Sequence, residues 1–125
     1  MTVSERATSH IREMPERDRP ISEQYRLAAN AWCEMDGTAR RLEELKTSAL
    51  EKKKSALIAK LGDMPDNKAE RIVKSSEEWE DYLIAMVEAR TEANKLKVTM
   101  EVLRMQEREI RDKNETIRAE QRLMR

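Results

Sequence analysis

A chain of 125 residues, 40% charged and 38% hydrophobic, has room for one domain with a narrow core and too little apolar material for several packed layers. Two glycines, three prolines and no phenylalanine, among abundant Ala, Leu, Met, Glu, Lys and Arg, exclude sandwiches, barrels and α/β sheets and predict an all-α fold of long helices. Twenty-five basic and twenty-five acidic residues cancel, so no whole-chain field draws the protein to nucleic acid or an anionic membrane, and recognition by charge has to be local.

Residues 1–20, "MTVSERATSHIREMPERDRP", alternate in charge without a sustained apolar face and read as a mobile N-terminal tail with at most a helical turn around Ile11. Residues 21–125 read as a helical hairpin: a helix over 22–61, a connection over 62–75 containing a short helix, and a helix over 76–123. Ser22, just after Pro20 and Ile21, is placed to cap the first helix. Along it Ala28, Trp32, Met35, Ala39, Leu42, Leu45, Ala49, Ala56 and Leu57 recur at threes and fours, the spacing of one buried face. Gly37 costs about 1 kcal/mol relative to alanine, but the pattern passes through it in phase, which predicts one long helix with any bend at that glycine. Gly62 followed by Pro65 is the order of a left-handed cap and a helix stop, so "GDMPDN" is the turn. Residues 68–74 then form a short helix that sets Ile72 and Val73 over the end of the core. Ser75 and Glu78 have the spacing of a capping box at the start of the last helix.

In that helix Tyr82, Ala89, Leu96, Leu103, Ile110, Ile117 and Met124 are each seven apart, one seam of a coiled coil. The companion seam is apolar through Trp79, Met86, Ala93 and Met100, then turns polar at Glu107, Asn114 and Gln121. Two long helices with a short connection bury such stripes by lying antiparallel, which predicts a coiled-coil hairpin whose core holds Trp32, Leu42, Trp79, Tyr82, Met86, Leu96, Met100 and Leu103. Trp79 and Tyr82 are expected near residues 56–61. A lone hairpin of this kind buries little, so assembly into a dimer or helical bundle is expected.

Catalysis is poorly provided for. The single histidine, His10, lies in the tail, and Cys33, beside Trp32, has neither a second cysteine nor a nearby histidine and reads as a partly buried, inert thiol. Carboxylates at i, i+4 such as Glu88 and Glu92 lack the Glu-x-x-His partners of a bundle metal site, and no phosphate loop, Ser-His-Asp set or HExxH helix is present. The chain therefore reads as no enzyme, with no catalytic, metal or cofactor residues. The longest uncharged apolar run, "YLIAMV", is far short of the roughly 20 residues of a membrane span, and one cysteine with no signal peptide predicts a soluble cytoplasmic protein.

Charge does segregate locally. Residues 40–60 hold seven basic and three acidic side chains, and residues 61–81 the reverse, so the two stretches neutralise one another if they lie side by side. A second reading makes Lys52, Lys53, Lys54 and Lys60 a phosphate-binding patch, extended by Arg104, Arg108 and Arg111, although no interleaved aromatics are there to stack bases. The apolar seam that persists beyond Met100 predicts a protein-docking arm at Ile110 and Ile117, with Asn114 and Gln121 as polar insertions that set register.

Residues 73–123, "VKSSEEWEDYLIAMVEARTEANKLKVTMEVLRMQEREIRDKNETIRAEQRL", carry a Trp near a helix start, then Met86, Val87, Ala89, Arg90, Ala93, Asn94 and Leu96, and a Glu/Arg-rich end. In this they resemble small helical proteins of unknown function from tailed phages and prophages. The resemblance implies a phage accessory protein in the bacterial host cytoplasm, from a recombination or replication module, and it defines no functional residues. Two functions follow as expectations: a homo-oligomeric protein-interaction module, and a nucleic-acid-binding protein that uses lysines 52–54 and the C-terminal arginines.

Overall fold

The structure is a computed structural model that describes residue 15 and residues 19–124. The expected tail, with His10 and Ile11, otherwise lies outside the described residues. Four helices follow: α1 (Ile21–Glu44), α2 (Lys46–Leu61), α3 (Asp66–Lys74) and α4 (Glu77–Leu123). Among the described residues there is no strand, so the fold is all-α, and no helix is long and apolar enough to cross a membrane. The helices contribute to two compact bodies, one of residues 32–94 and one that joins the described residues up to 31 with those from 95 onward.

In the body of residues 32–94, α1 runs through Gly37 without a break, and a side chain added there would meet nothing within 4 Å. The helix is interrupted instead at Leu45 (φ −88°, ψ 1°), although the i→i−4 ladder is kept on both sides: Leu45 N–H donates to the Arg41 carbonyl (2.9 Å) and Ala49 N–H to the Leu45 carbonyl (2.8 Å). Leu45 is neither glycine nor proline and is exposed, so residue type does not dictate the break. Before it Leu42 receives Tyr82 of α4, and after it α2 meets both α3 (Lys54 to Asp66) and α4 (Lys53 to Glu78).

Gly62 is the one described residue at positive φ (97°), and its N–H closes α2 on the Ile58 carbonyl at 2.8 Å. Only glycine takes that conformation cheaply, which makes the predicted cap a backbone requirement. Pro65 then presents its carbonyl to the N–H groups of Lys68 (3.0 Å) and Ala69 (3.1 Å), and Asp66 puts a negative charge in the first turn, where the helix dipole favours it. The short helix α3 packs on α2 and buries Ala69 and Val73, with Ile72 half-buried.

The cap of α4 is Ser76, one residue later than the predicted box: its Oγ accepts the Trp79 N–H (3.3 Å) and donates to the Val73 carbonyl (2.6 Å). Ser75 spends its hydroxyl on the Ile72 carbonyl (2.9 Å), so the two serines tie the end of α3 to the start of α4. Trp79 is buried and stacks on Tyr82, ring centroids 5.3 Å apart and planes within 4°. The Tyr82 hydroxyl donates to the Leu42 carbonyl, so the aromatic pair reaches the end of α1, while Ser76 and Glu78 at the start of α4 share a groove with Ala56, Leu57 and Lys60. The fully covered described positions here are alanines: Ala39, Ala69 and Ala93.

In the other body α1 begins at Ile21 because the Pro20 carbonyl accepts the N–H groups of Glu23 and Gln24, both at 3.0 Å. Ser22, expected as the cap, therefore sits inside the first turn. Ala28 and Leu103 are buried, Leu96 and Met100 half-buried, and Arg104 donates from Nε (3.1 Å) and Nη2 (2.6 Å) to the Tyr25 hydroxyl. From Arg104 to Met124 every side chain of the arm is exposed.

Candidate functional site

Polar side chains are most organised around Arg90. Asp36 and Glu43 stand seven residues apart on α1, two helical turns and hence one face, and the guanidinium of α4 addresses both. Nη1 meets Asp36 Oδ1 at 2.8 Å, while Nε and Nη2 take the two Glu43 oxygens at 2.8 and 3.0 Å in a bidentate fork. The second Asp36 oxygen goes to Arg40 Nε at 3.0 Å, which leaves this buried carboxylate fully paired. The hydrogen bonds to Glu43, and after them those to Asp36, hold the Arg90 guanidinium protonated well above its ordinary range, and the same contact to Arg90 lowers the Glu43 carboxyl below the usual carboxylate value. The chemistry of the cluster is that of a clamp between α1 and α4 within residues 32–94.

Lys54 is the second such point. Its ammonium is buried on α2 and held by Asp66 of α3 at 2.8 Å and Glu51 at 3.0 Å, and the bond to Asp66 leads those that raise it above the usual lysine range. Both carboxylates are themselves mostly exposed. The costs of breaking the site are therefore unequal. Lys54→Met leaves two carboxylates that water can solvate and an apolar stem that still packs, whereas Glu51→Ala with Asp66→Ala strands a buried ammonium. The double carboxylate variant is expected to melt at clearly lower temperature than Lys54→Met, as read by circular dichroism; the reverse order would remove the clamp.

The predicted cations meet different partners. Lys53 is engaged by Glu78 at 3.2 Å, Lys54 is buried as above, Arg104 is on Tyr25 and Arg111 on Glu107 at 2.9 Å, while Lys52, Lys60 and Arg108 are exposed. Lys53 and Lys54 thus join the basic stretch 40–60 to the acidic stretch 61–81 through two ion pairs. Of the predicted core set, Trp79 and Leu103 are buried and Trp32, Leu42, Tyr82, Met86, Leu96 and Met100 half-buried. Ile110, Asn114, Ile117 and Gln121 are exposed, the two isoleucines at 49% and 50%. Cys33, expected to be partly buried, is exposed because it faces away from the stripe that holds Trp32 and Met35.

No family model, curated protein or solved structure matches the chain. The candidate site therefore rests on geometry: an apolar seam that is buried up to Leu103 and bare after it. The Arg90 clamp lies outside the residues that sequence reasoning selects, although one signal for it is present, two carboxylates spaced by seven beside an apolar face. Among the described residues no set of three His, Cys, Asp or Glu side chains is arranged to hold a metal ion.

Proposed function

We propose that the protein is a non-enzymatic interaction module, an antiparallel coiled-coil hairpin that self-associates and docks another protein on the arm formed by the end of α4. The observation that carries this reading is the continuation of the seven-residue apolar spacing past the last buried seam residue, Leu103, to exposed Ile110 and Ile117. Apolar side chains at seam positions gain from burial only when a partner helix covers them, at roughly 25 cal/mol per Å² removed from water. Asn114 and Gln121, on the companion seam of the same arm, are the polar residues that would fix the partner's register. The resemblance of residues 73–123 to helical phage and prophage proteins supports an accessory role in the bacterial cytoplasm, in DNA recombination or replication.

Nucleic-acid binding is the second reading, and it is weakened because Lys53, Lys54, Arg104 and Arg111 already contact side chains of this chain. Quantitative capture from a lysate of the source cell, with wild type and with Ile110→Asp/Ile117→Asp side by side, tests the first reading. A specific set of proteins should be lost from the variant while its helix content is kept. Equal capture by both proteins sinks the docking arm. Binding of labelled single- or double-stranded DNA that weakens steeply between low and moderate salt would favour the second reading instead.

A further inference from the structure

α4 carries a second apolar face. Ile84, Val87, Val98, Val102 and Met105 are between 45% and 60% exposed, and Thr91 is exposed in line with them. At 100° per residue these six positions fall within an arc of about 60°, on the side of the helix away from the covered positions Trp79, Ala89, Ala93 and Leu103. Scattered surface apolar residues need no explanation, but five of them with a threonine in one stripe over three heptads do.

The stripe has an internal symmetry. From Ile84 to Met105 the steps along the chain are 3, 4, 7, 4 and 3, the same read from either end. Its midpoint is the peptide between Asn94 and Lys95, and every member has a counterpart at equal distance from that point: Thr91 and Val98, Val87 and Val102, Ile84 and Met105. A stripe of this spacing can pair with itself across a two-fold axis, each residue meeting its counterpart in the copy. We propose that this face is covered by α4 of a second copy of the chain, antiparallel, with the two-fold axis passing beside Asn94. The inference rests on the self-association included in the proposed function and adds its surface, direction and register.

Charge selects the same direction. Residues 77–92 hold six acidic side chains and only one basic, Arg90, so a parallel copy in register would set this stretch against itself. The antiparallel copy sets it against residues 97–112, which hold four of each sign. Asn94, exposed, lies half a residue from the two-fold axis, so its counterpart is Lys95 of the copy and the two Asn94 positions stand only about 1.5 Å apart along the helix.

The test uses single cysteines in the full chain with Cys33→Ser. Under mild oxidation Asn94→Cys should give a disulfide-linked dimer by itself. Val87→Cys alone should not, because in the proposed register its copy lies 15 residues away along the axis, about 22 Å, beyond the roughly 7 Å that a disulfide can span. A mixture of Val87→Cys and Val102→Cys should link. Adding Val98→Asp to the Asn94→Cys protein should abolish the link while the circular dichroism of a folded helical chain is retained. Self-linking by Val87→Cys as readily as by Asn94→Cys would overturn the proposal in favour of a parallel pair. A dimer by sedimentation that links at none of these positions would overturn the surface and leave self-association standing, and a monomer at all concentrations would remove both.

Discussion

Trp79→Ala is expected to lower stability by about 3–5 kcal/mol, a large part of what a domain of this size has in total. Trp79 is the largest buried side chain among the described core residues, at 3% exposure, and the ring it stacks on belongs to Tyr82, whose hydroxyl holds the Leu42 carbonyl. Truncation removes the indole, opens a cavity and loosens the tyrosine. The effect should appear as a fall of about 2 M in the urea midpoint followed by circular dichroism. Trp79→Phe, which keeps a stacking ring, should recover a large part of it. A midpoint within error of wild type for Trp79→Ala would show that the aromatic pair does not organise residues 32–94.

Replacing Leu96 and Leu103 together with Asp is expected to abolish cooperative helical melting of the other body. Leu103 is 6% exposed and is the last buried member of the seam, and Leu96 is half-buried one heptad before it. A Leu-sized loss at one such position costs about 2–5 kcal/mol, and a carboxylate in its place must be either protonated or hydrated at the expense of packing. Survival of a single sharp melt in the double variant would refute the seam. The same substitution at Ile117, already half exposed, should leave the melt unchanged, and the contrast separates the folding part of the spacing from the docking part.

The helical character of the chain is legible in its composition and in the threes and fours of its apolar residues because those signals are local: each depends on neighbours within one turn or two. Gly62 is legible for a related reason, since a positive φ constrains the residue type at one position. What the sequence hides is set by distance along the chain. Arg90 meets Asp36 and Glu43 across 54 and 47 residues, and nothing in the spacing of α4 alone distinguishes that arginine from Arg104 or Arg108. The interruption at Leu45 is hidden likewise, because an exposed leucine in good helical context carries no local signal for a break. Lys54 illustrates the same limit. As one of three consecutive lysines it reads as part of a basic stretch neutralised by residues 61–81, or of a phosphate-binding patch, and only the position of α3 singles it out and turns it inward to Asp66. The serine cap moves by one residue, from Ser75 to Ser76, although only Ser75 has a glutamate three residues on, because Ser75 spends its hydroxyl on the Ile72 carbonyl at the end of α3.

The alanines at the covered positions bear on how the fold responds to temperature. Ala39, Ala69 and Ala93 have no exposed surface, and among the described residues no large side chain is completely enclosed. Alanine has no rotamers to lose, so ordering these contacts spends little side-chain entropy. It also exposes little apolar surface when the chain opens, and the heat capacity of unfolding scales with that surface. The outcome is a flat stability curve, in which the protein holds a similar and modest free energy over a wide span of temperature, with no tall maximum.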